Sequence, residues 1–172
     1  MSPRTLGRVG GALLAVTAAA PILTACGGPD PQSQITGTSW QITELYLEPG
    51  TPSTLPDLVA GRASLIFGEH SVAGSTGCAP IQGQVTFTAD GEVSAARDAD
   101  RVSFDRTEIE VPADGCVGQA MFTHERISGL LTGEFEIARL SDYELALTQV
   151  SDEIDPPAIH LSSDRVPEQP ED

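Results

Sequence analysis

The chain contains no lysine, and all nine of its basic residues are arginine, set against 25 aspartates and glutamates. The formal net charge of the 172 residues is therefore −16 at pH 7. A surface with so little positive charge repels the phosphates of nucleic acids and anionic lipid headgroups. We therefore expect no nucleic-acid partner, and we interpret the acidic charge as a source of solubility.

Aromatic residues and cysteines are also few. Aromatics make up 5% of the chain, although a hydrophobic content of 40% is enough for a core. The three cysteines form no C-x-x-C motif, so a thioredoxin-like redox centre is not expected. The three histidines, His70, His124 and His160, lack the spacing of metal ligands, and we expect surface or hydrogen-bonded residues there. The sequence predicts neither a metal site nor a cofactor.

The first 25 residues have the three parts of a secretory signal. A basic start, MSPRTLGR, is followed by an apolar stretch and then by small residues. A transmembrane helix is the alternative. The 17 residues from Val9 to Ala25 include two glycines, two threonines and a proline, whereas a membrane span needs about 20 apolar residues. The pattern therefore favours a signal peptide over residues 1–25.

Leu23-Thr24-Ala25-Cys26 resembles the bacterial lipobox, in which the cysteine thiol is diacylglyceryl-modified and the signal is cut just before it. The resemblance implies lipidation at Cys26 and anchoring at the extracytoplasmic face of the cell membrane. Two acyl chains give stable anchoring where one gives only reversible binding. The alternative is an ordinary secreted protein with a coincidental cysteine. From Cys26 onward, 7 arginines against 25 acids give a mature charge of −18.

Composition divides the mature chain into three parts. Residues 26–36 comprise Cys26 and a Gly-, Pro- and Gln-rich stretch without hydrophobic period, which predicts a flexible tether. Residues 37–161 carry the hydrophobic patterning of a domain. Residues 162–172 are acidic and contain proline, which predicts a disordered tail.

Short alternating segments between turn residues dominate the domain and predict strands. We expect strands over 39–47, 101–111, 134–140, 143–148 and 158–161, a hairpin over 63–75 and a second hairpin over 84–96 turning at Asp90-Gly91. The three-proline segment 48–57 is predicted to be a loop. The fold class is therefore mainly β (α+β), an antiparallel sheet or partly closed small barrel with one packed helix.

One segment has helical instead of alternating spacing. Residues 116–131 are predicted to form the helix, with Asp114 as its N-cap. Its apolar face comprises Val117, Ala120, Met121, Ile127, Leu130 and Leu131.

Cys78 and Cys116 remain once Cys26 is assigned to the anchor. In a secreted chain two such cysteines favour a disulfide, for which the chain-entropy model gives about 4 kcal/mol. A zinc site is the alternative, but two isolated cysteines without neighbouring ligands make a poor one.

Several motifs resemble META/HslJ-like domains. Gly37-Thr38-Ser39-Trp40 is similar to the family's opening G-x-x-W, and the stretch from Gly74 to Cys78 resembles its central G-x-x-G-C-N element. Thr107, Cys116 and the segment Tyr143–Leu147 match later features of the family. The resemblance covers residues 37–161 and implies a small β-rich fold with one helix. It also implies an envelope-associated protein without established catalysis.

Candidate catalytic groups have simpler interpretations. Ser75 in AGSTG resembles a nucleophile elbow and could form a triad with His160 and an aspartate, but strands on both sides do not suit that motif. Asp98 and Asp100 lack the remaining offsets of a calcium loop. Glu108 and Glu110 alternate with apolar residues, which is typical of the solvated face of a strand.

The sequence therefore predicts a non-enzymatic, membrane-anchored lipoprotein with a binding or envelope-maintenance role. Its partner would be an envelope protein or a small ligand. A small-ligand carrier using the interior of a barrel is the first alternative. A serine hydrolase built around Ser75 is the second.

Overall fold

The structure is a computed structural model that describes residues 34–48, 51–55, 60–112 and 114–163. Ten strands and one helix form within these residues. In chain order they are β1 (Ser39–Glu48), β2 (Thr51–Thr54), β3 (Ala63–Phe67), β4 (Ser71–Thr76), β5 (Pro80–Ala89), β6 (Glu92–Val93), β7 (Arg101–Ile109), α1 (Gln119–Leu130), β8 (Gly133–Ser141), β9 (Glu144–Gln149) and β10 (Ala158–Ser163).

Eight of the strands close into an antiparallel barrel. Their order is β1-β3-β4-β5-β7-β8-β9-β10, and β10 pairs with β1 to complete the ring. β2 pairs beside the later half of β1, and β6 pairs with the end of β5. In the ring each strand pairs with a neighbour on both sides, although β7 pairs with β8 only over its first four residues, Arg101–Phe104. The predicted β-rich fold with one helix is confirmed, and the barrel is fully closed.

The interior of the barrel is packed with apolar side chains. Along β5, Ile81, Val85 and Phe87 are buried, and the residues between them point outward or lie at intermediate depth. Four of the five phenylalanines contact one another edge to face, at ring centroid distances of 5.5–6.3 Å: Phe67, Phe87, Phe104 and Phe135. An eight-stranded barrel is just wide enough for side chains to fill it, and here they do.

Trp40 and the N-terminal residues of the described chain add to this core. The Trp40 indole is 2% exposed and donates a hydrogen bond to the Ile35 carbonyl at 2.9 Å. This bond satisfies the one polar atom of a side chain that is otherwise buried as a hydrophobe. The tryptophan of the G-x-x-W motif therefore fixes the entry of the chain into β1.

Helix α1 connects β7 to β8 and packs against the end of β4. Three residues of its predicted apolar face are buried: Ile127, Leu130 and Leu131, of which Leu131 lies just beyond the last residue of the helix. The prediction that Asp114 caps the helix is wrong. The helix begins at Gln119, and the N-cap is Gly118, whose φ of 60° makes the chain turn sharply into the first turn. Val117 lies before the helix and is 68% exposed, so it is not part of the buried face.

The predicted hairpins are present, with one correction to a loop. β3 and β4 join at residues 68–70, and Asp90 and Gly91 adopt the positive φ angles of a tight turn between β5 and β6. β6 is only two residues long, and the main partner of β5 is β7. The segment 48–57 is not purely a loop, because it contains β2.

The part of the chain that the structure describes contains no helix long and apolar enough to span a bilayer.

Candidate binding groove on the outer face of the barrel

Cys78 and Cys116 form a disulfide, as predicted. Their Cα atoms lie 5.6 Å apart, and the bond joins the loop between β4 and β5 to the segment that leads into α1. It closes a loop with a sequence separation of 38 residues that contains all of β5, β6 and β7. Cys26, the predicted lipidation site, lies outside the described residues.

A buried hydrogen-bond cluster lies beside the disulfide. The Thr76 side chain is fully buried, and its Oγ1 accepts hydrogen bonds from the backbone amides of Cys78 and Ala79 at 3.2 and 3.0 Å. The same oxygen lies 2.8 Å from Nδ1 of His124, which is 8% exposed on α1. His124 is therefore a hydrogen-bonded core residue that ties the helix to the end of β4.

Ser75 is not assembled into a catalytic triad in the described structure. Its Oγ accepts a hydrogen bond from the backbone amide of Gly77 at 2.9 Å. His124 bonds to the neighbouring Thr76, and His160 lies on β10, separated from β4 in the barrel by β3 and β1. This geometry supplies no general base to the Ser75 hydroxyl within the described residues.

His160 belongs to a polar cluster on the outer face of β1 and β10. Its Nδ1 lies 3.5 Å from the Glu44 carboxylate, and its ring stacks at a tilt 4.6 Å from that of Tyr46. The Tyr46 hydroxyl donates a hydrogen bond to Glu44 Oε2 at 2.9 Å, and this bond to an anion raises the pKa of Tyr46. Each member of this cluster therefore has a partner within it.

The remaining candidate acids are also dispersed. Asp98 pairs with Arg97 at 3.2 Å, and Asp100 accepts a hydrogen bond from the Asp90 amide at 3.3 Å. Glu108 and Glu110 are exposed on and just after β7, as the alternation predicted. Among the described residues, no three histidines, cysteines or acids come together as a metal site.

A groove of about 570 Å³ lies on the outside of the barrel across β4, β5 and β7. We call it the outer groove. The side chains that line it and alternate outward from the three strands are Ser71, Ala73, Gln82, Gln84, Arg106 and Glu108. Its volume lies within the range of about 300–1,000 Å³ that small-molecule sites occupy. About half of its exposed lining is polar.

Strand register arranges these six side chains in two rows. Gln84 pairs with Ser71 on one side and with Arg106 on the other. Two residues along the strands, Gln82 pairs with Ala73 and with Glu108. Directly paired residues in antiparallel strands point to the same face, so each row crosses the groove. The first row ends in a cation and the second in an anion.

Two glycines and a bulge shape the floor of the outer groove. A Cβ at Gly74 would overlap the Ser64 carbonyl oxygen, and one at Gly83 would overlap the Arg106 carbonyl oxygen. Only glycine allows the neighbouring backbones to approach so closely at these points. The register shifts where Gln84 gives way to Val85, which leaves Asp105 as the extra residue in β7. A bulge of this kind bends the strand that contains it, and the two glycines let the neighbouring backbones lie close beneath the rows.

Arg106 differs from most other arginines in the described chain. Arg97 and Arg101 form ion pairs, Arg139 donates to backbone carbonyls at 2.9–3.3 Å, and Arg126 lies over the Phe122 ring. Within the described residues, no ion pair reaches Arg62 or Arg106. Arg62 is an exposed turn residue, so Arg106 is the cation without an acidic partner that lines a concave site.

Sequence reasoning identified Glu108 as solvated but missed the rest of the groove. The alternation of Gln82, Gln84, Arg106 and Glu108 is visible in the sequence, yet the register that pairs them is not. That register depends on the bulge at Asp105, which the sequence does not mark. The signal that the sequence does contain is a pair of glutamines at alternate, outward positions of β5.

No family model matches the chain, and no curated protein matches it. One solved structure is similar, an NMR structure of a protein from Burkholderia xenovorans, with a TM-score of 0.55 and 16% sequence identity. The alignment covers 85% of this chain and 98% of that one. At this identity the likeness shows a shared fold and nothing about a shared ligand or activity.

Proposed function

We propose that the protein is a non-catalytic binding protein, held at the extracytoplasmic face of the membrane by lipidated Cys26, that takes its ligand in the outer groove. The observation that carries the binding role is a groove of about 570 Å³, lined by two glutamines, an arginine and a glutamate, on a barrel whose interior is already occupied. The groove combines a concave shape with convergent polar groups, the combination that marks ligand sites.

The packing of the barrel favours the outer groove over the interior as the place where a ligand binds. Phe67, Phe87 and Phe135 are each at most 1% exposed and lie inside the ring. A carrier that used the interior would have to displace such side chains, and each buried aromatic contributes several kcal/mol to stability. The environment of Ser75, whose hydroxyl accepts from a backbone amide, likewise favours binding over hydrolysis.

The disulfide supports an extracytoplasmic location. Disulfides persist in oxidising compartments and are rare in the cytosol. The mature charge of −18 also bears on the mode of attachment, because an acidic surface gains nothing from anionic headgroups. A covalent anchor at Cys26 would hold such a protein at a membrane that otherwise repels it. The resemblance of Leu23–Cys26 to a lipobox and of residues 37–161 to META/HslJ-like domains agrees with this proposal.

The anchor is tested by mass spectrometry of the protein purified from the membrane fraction. We expect a mature N-terminus at a diacylglyceryl-modified Cys26. A Cys26→Ala variant should remain an uncleaved precursor or leave the membrane fraction. An unmodified Cys26, or a mature chain that retains residues 1–25, would contradict the anchor.

The binding role is tested by a photo-crosslinking residue placed in the groove of the protein in intact cells. Gln82 is the position of choice, and exposed Leu140 on β8 is the matched control. We expect adducts at position 82 that are absent at position 140 and that decline in an Arg106→Gln background. Equal products at both positions, or none at either, would contradict a groove that binds a ligand.

A further inference from the structure

Each row of the outer groove ends in a charged residue, and the two opposite charges specify the kind of ligand that the groove takes. This inference rests on the binding role proposed above. We propose that the groove binds a short zwitterionic peptide of about two residues, with the carboxylate on Arg106 and the ammonium group on Glu108. The pairing of the strands, the bulge in β7 and the lack of an acidic partner for Arg106 within the described residues carry the proposal.

The charge arrangement requires two opposite ends. Arg106 presents a planar fork of donors that suits a carboxylate, and Glu108 presents acceptors that suit an ammonium group. The two lie on one strand without forming an ion pair with each other at 4.0 Å or less. A ligand with a single charge would satisfy one row and leave the other without a counterion.

The spacing of the rows sets the length of the ligand. Arg106 and Glu108 are two residues apart on β7, which corresponds to about 7 Å along a strand. Two residues of extended peptide also span about 7 Å at most. A dipeptide can therefore reach both rows in extended form, whereas a free amino acid is too short to do so without drawing the side chains together.

The centre of the groove suits a peptide bond. Gln84 and Gln82 lie between the charged residues on β7 and the small residues on β4, one in each row. A glutamine side chain offers both a carbonyl oxygen and an amide group, so the pair can accept from a peptide N–H and donate to a peptide carbonyl. Ala73 leaves the second row open on the β4 side, where a larger side chain would fill the space.

Calorimetric titration of the mature lipoprotein in nonionic detergent tests the proposal with three related probes. Glycylglycine carries both charges, N-acetyl-glycylglycine lacks the ammonium group, and glycylglycinamide lacks the carboxylate. We expect glycylglycine to bind and each blocked peptide to bind about tenfold more weakly or worse, because a hydrogen bond to a charged group is lost.

Variants assign each end of the probe to its row. In Arg106→Gln, glycylglycine and glycylglycinamide should bind equally weakly, and in Glu108→Gln the same should hold for glycylglycine and its acetylated form. Arg62→Gln and Glu92→Gln change exposed residues of matching charge outside the groove and should leave the affinity unchanged.

Two outcomes would overturn the proposal. Equal affinity for all three peptides would show that the charged ends are not recognised. No binding of glycylglycine would reject the peptide class, and groove-specific crosslinks at position 82 in intact cells would then show that the binding role stands with another ligand. If those crosslinks are also absent, the proposed binding role fails together with this inference.

Discussion

The inner face of β4, β5 and β7 is apolar and buried, whereas their outer face is exposed and carries polar and charged side chains. The inner face contributes Val72, Ile81 and Phe87 to a packed core, each at most 2% exposed. The outer face carries Gln82 and Gln84, which line the outer groove across the same strands. Alternation along a strand lets one segment of sequence satisfy both requirements.

This difference separates the inner residues, which stabilise the fold, from the outer residues, which are accessible to a ligand. The inner residues are held by burial and cannot change without a cost to folding. The outer residues of the groove contribute little burial, so they can vary without loss of the fold. Beneath the outward residues of the groove, Gly74 and Gly83 allow a close approach of neighbouring backbones, and the bulge at Asp105 shifts the register of β7.

The largest expected effect comes from opening the inner face. Phe135→Ala removes a fully buried ring that contacts Phe104 at 5.5 Å and should lower the free energy of unfolding by about 3–5 kcal/mol. Urea denaturation followed by tryptophan fluorescence of Trp40 would measure the change. The matched control is Phe122→Ala on the helix surface, where the ring is 51% exposed and the loss should be much smaller. Equal losses in the two variants would contradict the assignment of Phe135 to the core.

Removing the disulfide should have a comparable or slightly smaller effect. The double variant Cys78→Ala/Cys116→Ala frees a loop with a separation of 38 residues, for which the chain-entropy model gives about 4 kcal/mol. The loop contains β5 and β7, which carry both faces, so the core and the groove should lose stability together. Thermal unfolding of the variant and of the reduced native chain should agree. A variant as stable as the oxidised protein would show that the folded chain alone holds this loop in place.

Adding a Cβ at Gly74, which faces the core side of the sheet beneath the groove, should test how closely β3 and β4 must approach each other. Gly74→Ala would place a Cβ against the Ser64 carbonyl, and the resulting backbone shift should cost about 1–3 kcal/mol. The control is Gly129→Ala in α1, where the added Cβ meets nothing within 4 Å and the better helix propensity should stabilise by up to about 1 kcal/mol. Chemical denaturation of both variants would measure the difference in sign. If Gly74→Ala left the free energy of unfolding unchanged, β3 and β4 could move apart without cost.

The inner face could be predicted from the sequence because alternation is a local signal. Phe87, Phe104 and Phe135 each lie in a run of alternating residues, and the strands form where those runs predict them. The turn at Asp90-Gly91 was also predictable, since few residues adopt positive φ angles there. The Cys78–Cys116 pair followed from the count of cysteines left after Cys26.

The outer groove and the helix cap could not be predicted in the same way. The rows exist only because β4, β5 and β7 pair in one register, and register is a property of strands far apart in sequence. The N-cap of α1 is Gly118 instead of Asp114, and the segment before it contains Cys116, whose disulfide partner Cys78 is 38 residues away in sequence. His124 was expected to be a surface or hydrogen-bonded residue, and the sequence does not name its partner Thr76, which lies 48 residues away.

The smallest effect concerns the cluster of Glu44, Tyr46 and His160, on the opposite side of the barrel from the outer groove; its members contact one another, whereas Arg106 forms no ion pair within the described residues. The hydrogen bond to Glu44 raises the pKa of Tyr46, and Glu44→Gln should lower it toward the ordinary value of about 10. A folded-state pKa above the unfolded value stabilises the protein below about pH 10, and this contribution is lost as the pH rises through the folded pKa. Ultraviolet titration of tyrosinate in a Tyr143→Phe background isolates Tyr46, and Glu134→Gln, which breaks the ion pair to Arg101 instead, is the control. If Glu44→Gln leaves the pKa of Tyr46 unchanged, Tyr46 does not donate to Glu44 in solution. The cluster would then not differ from Arg106 in having a partner.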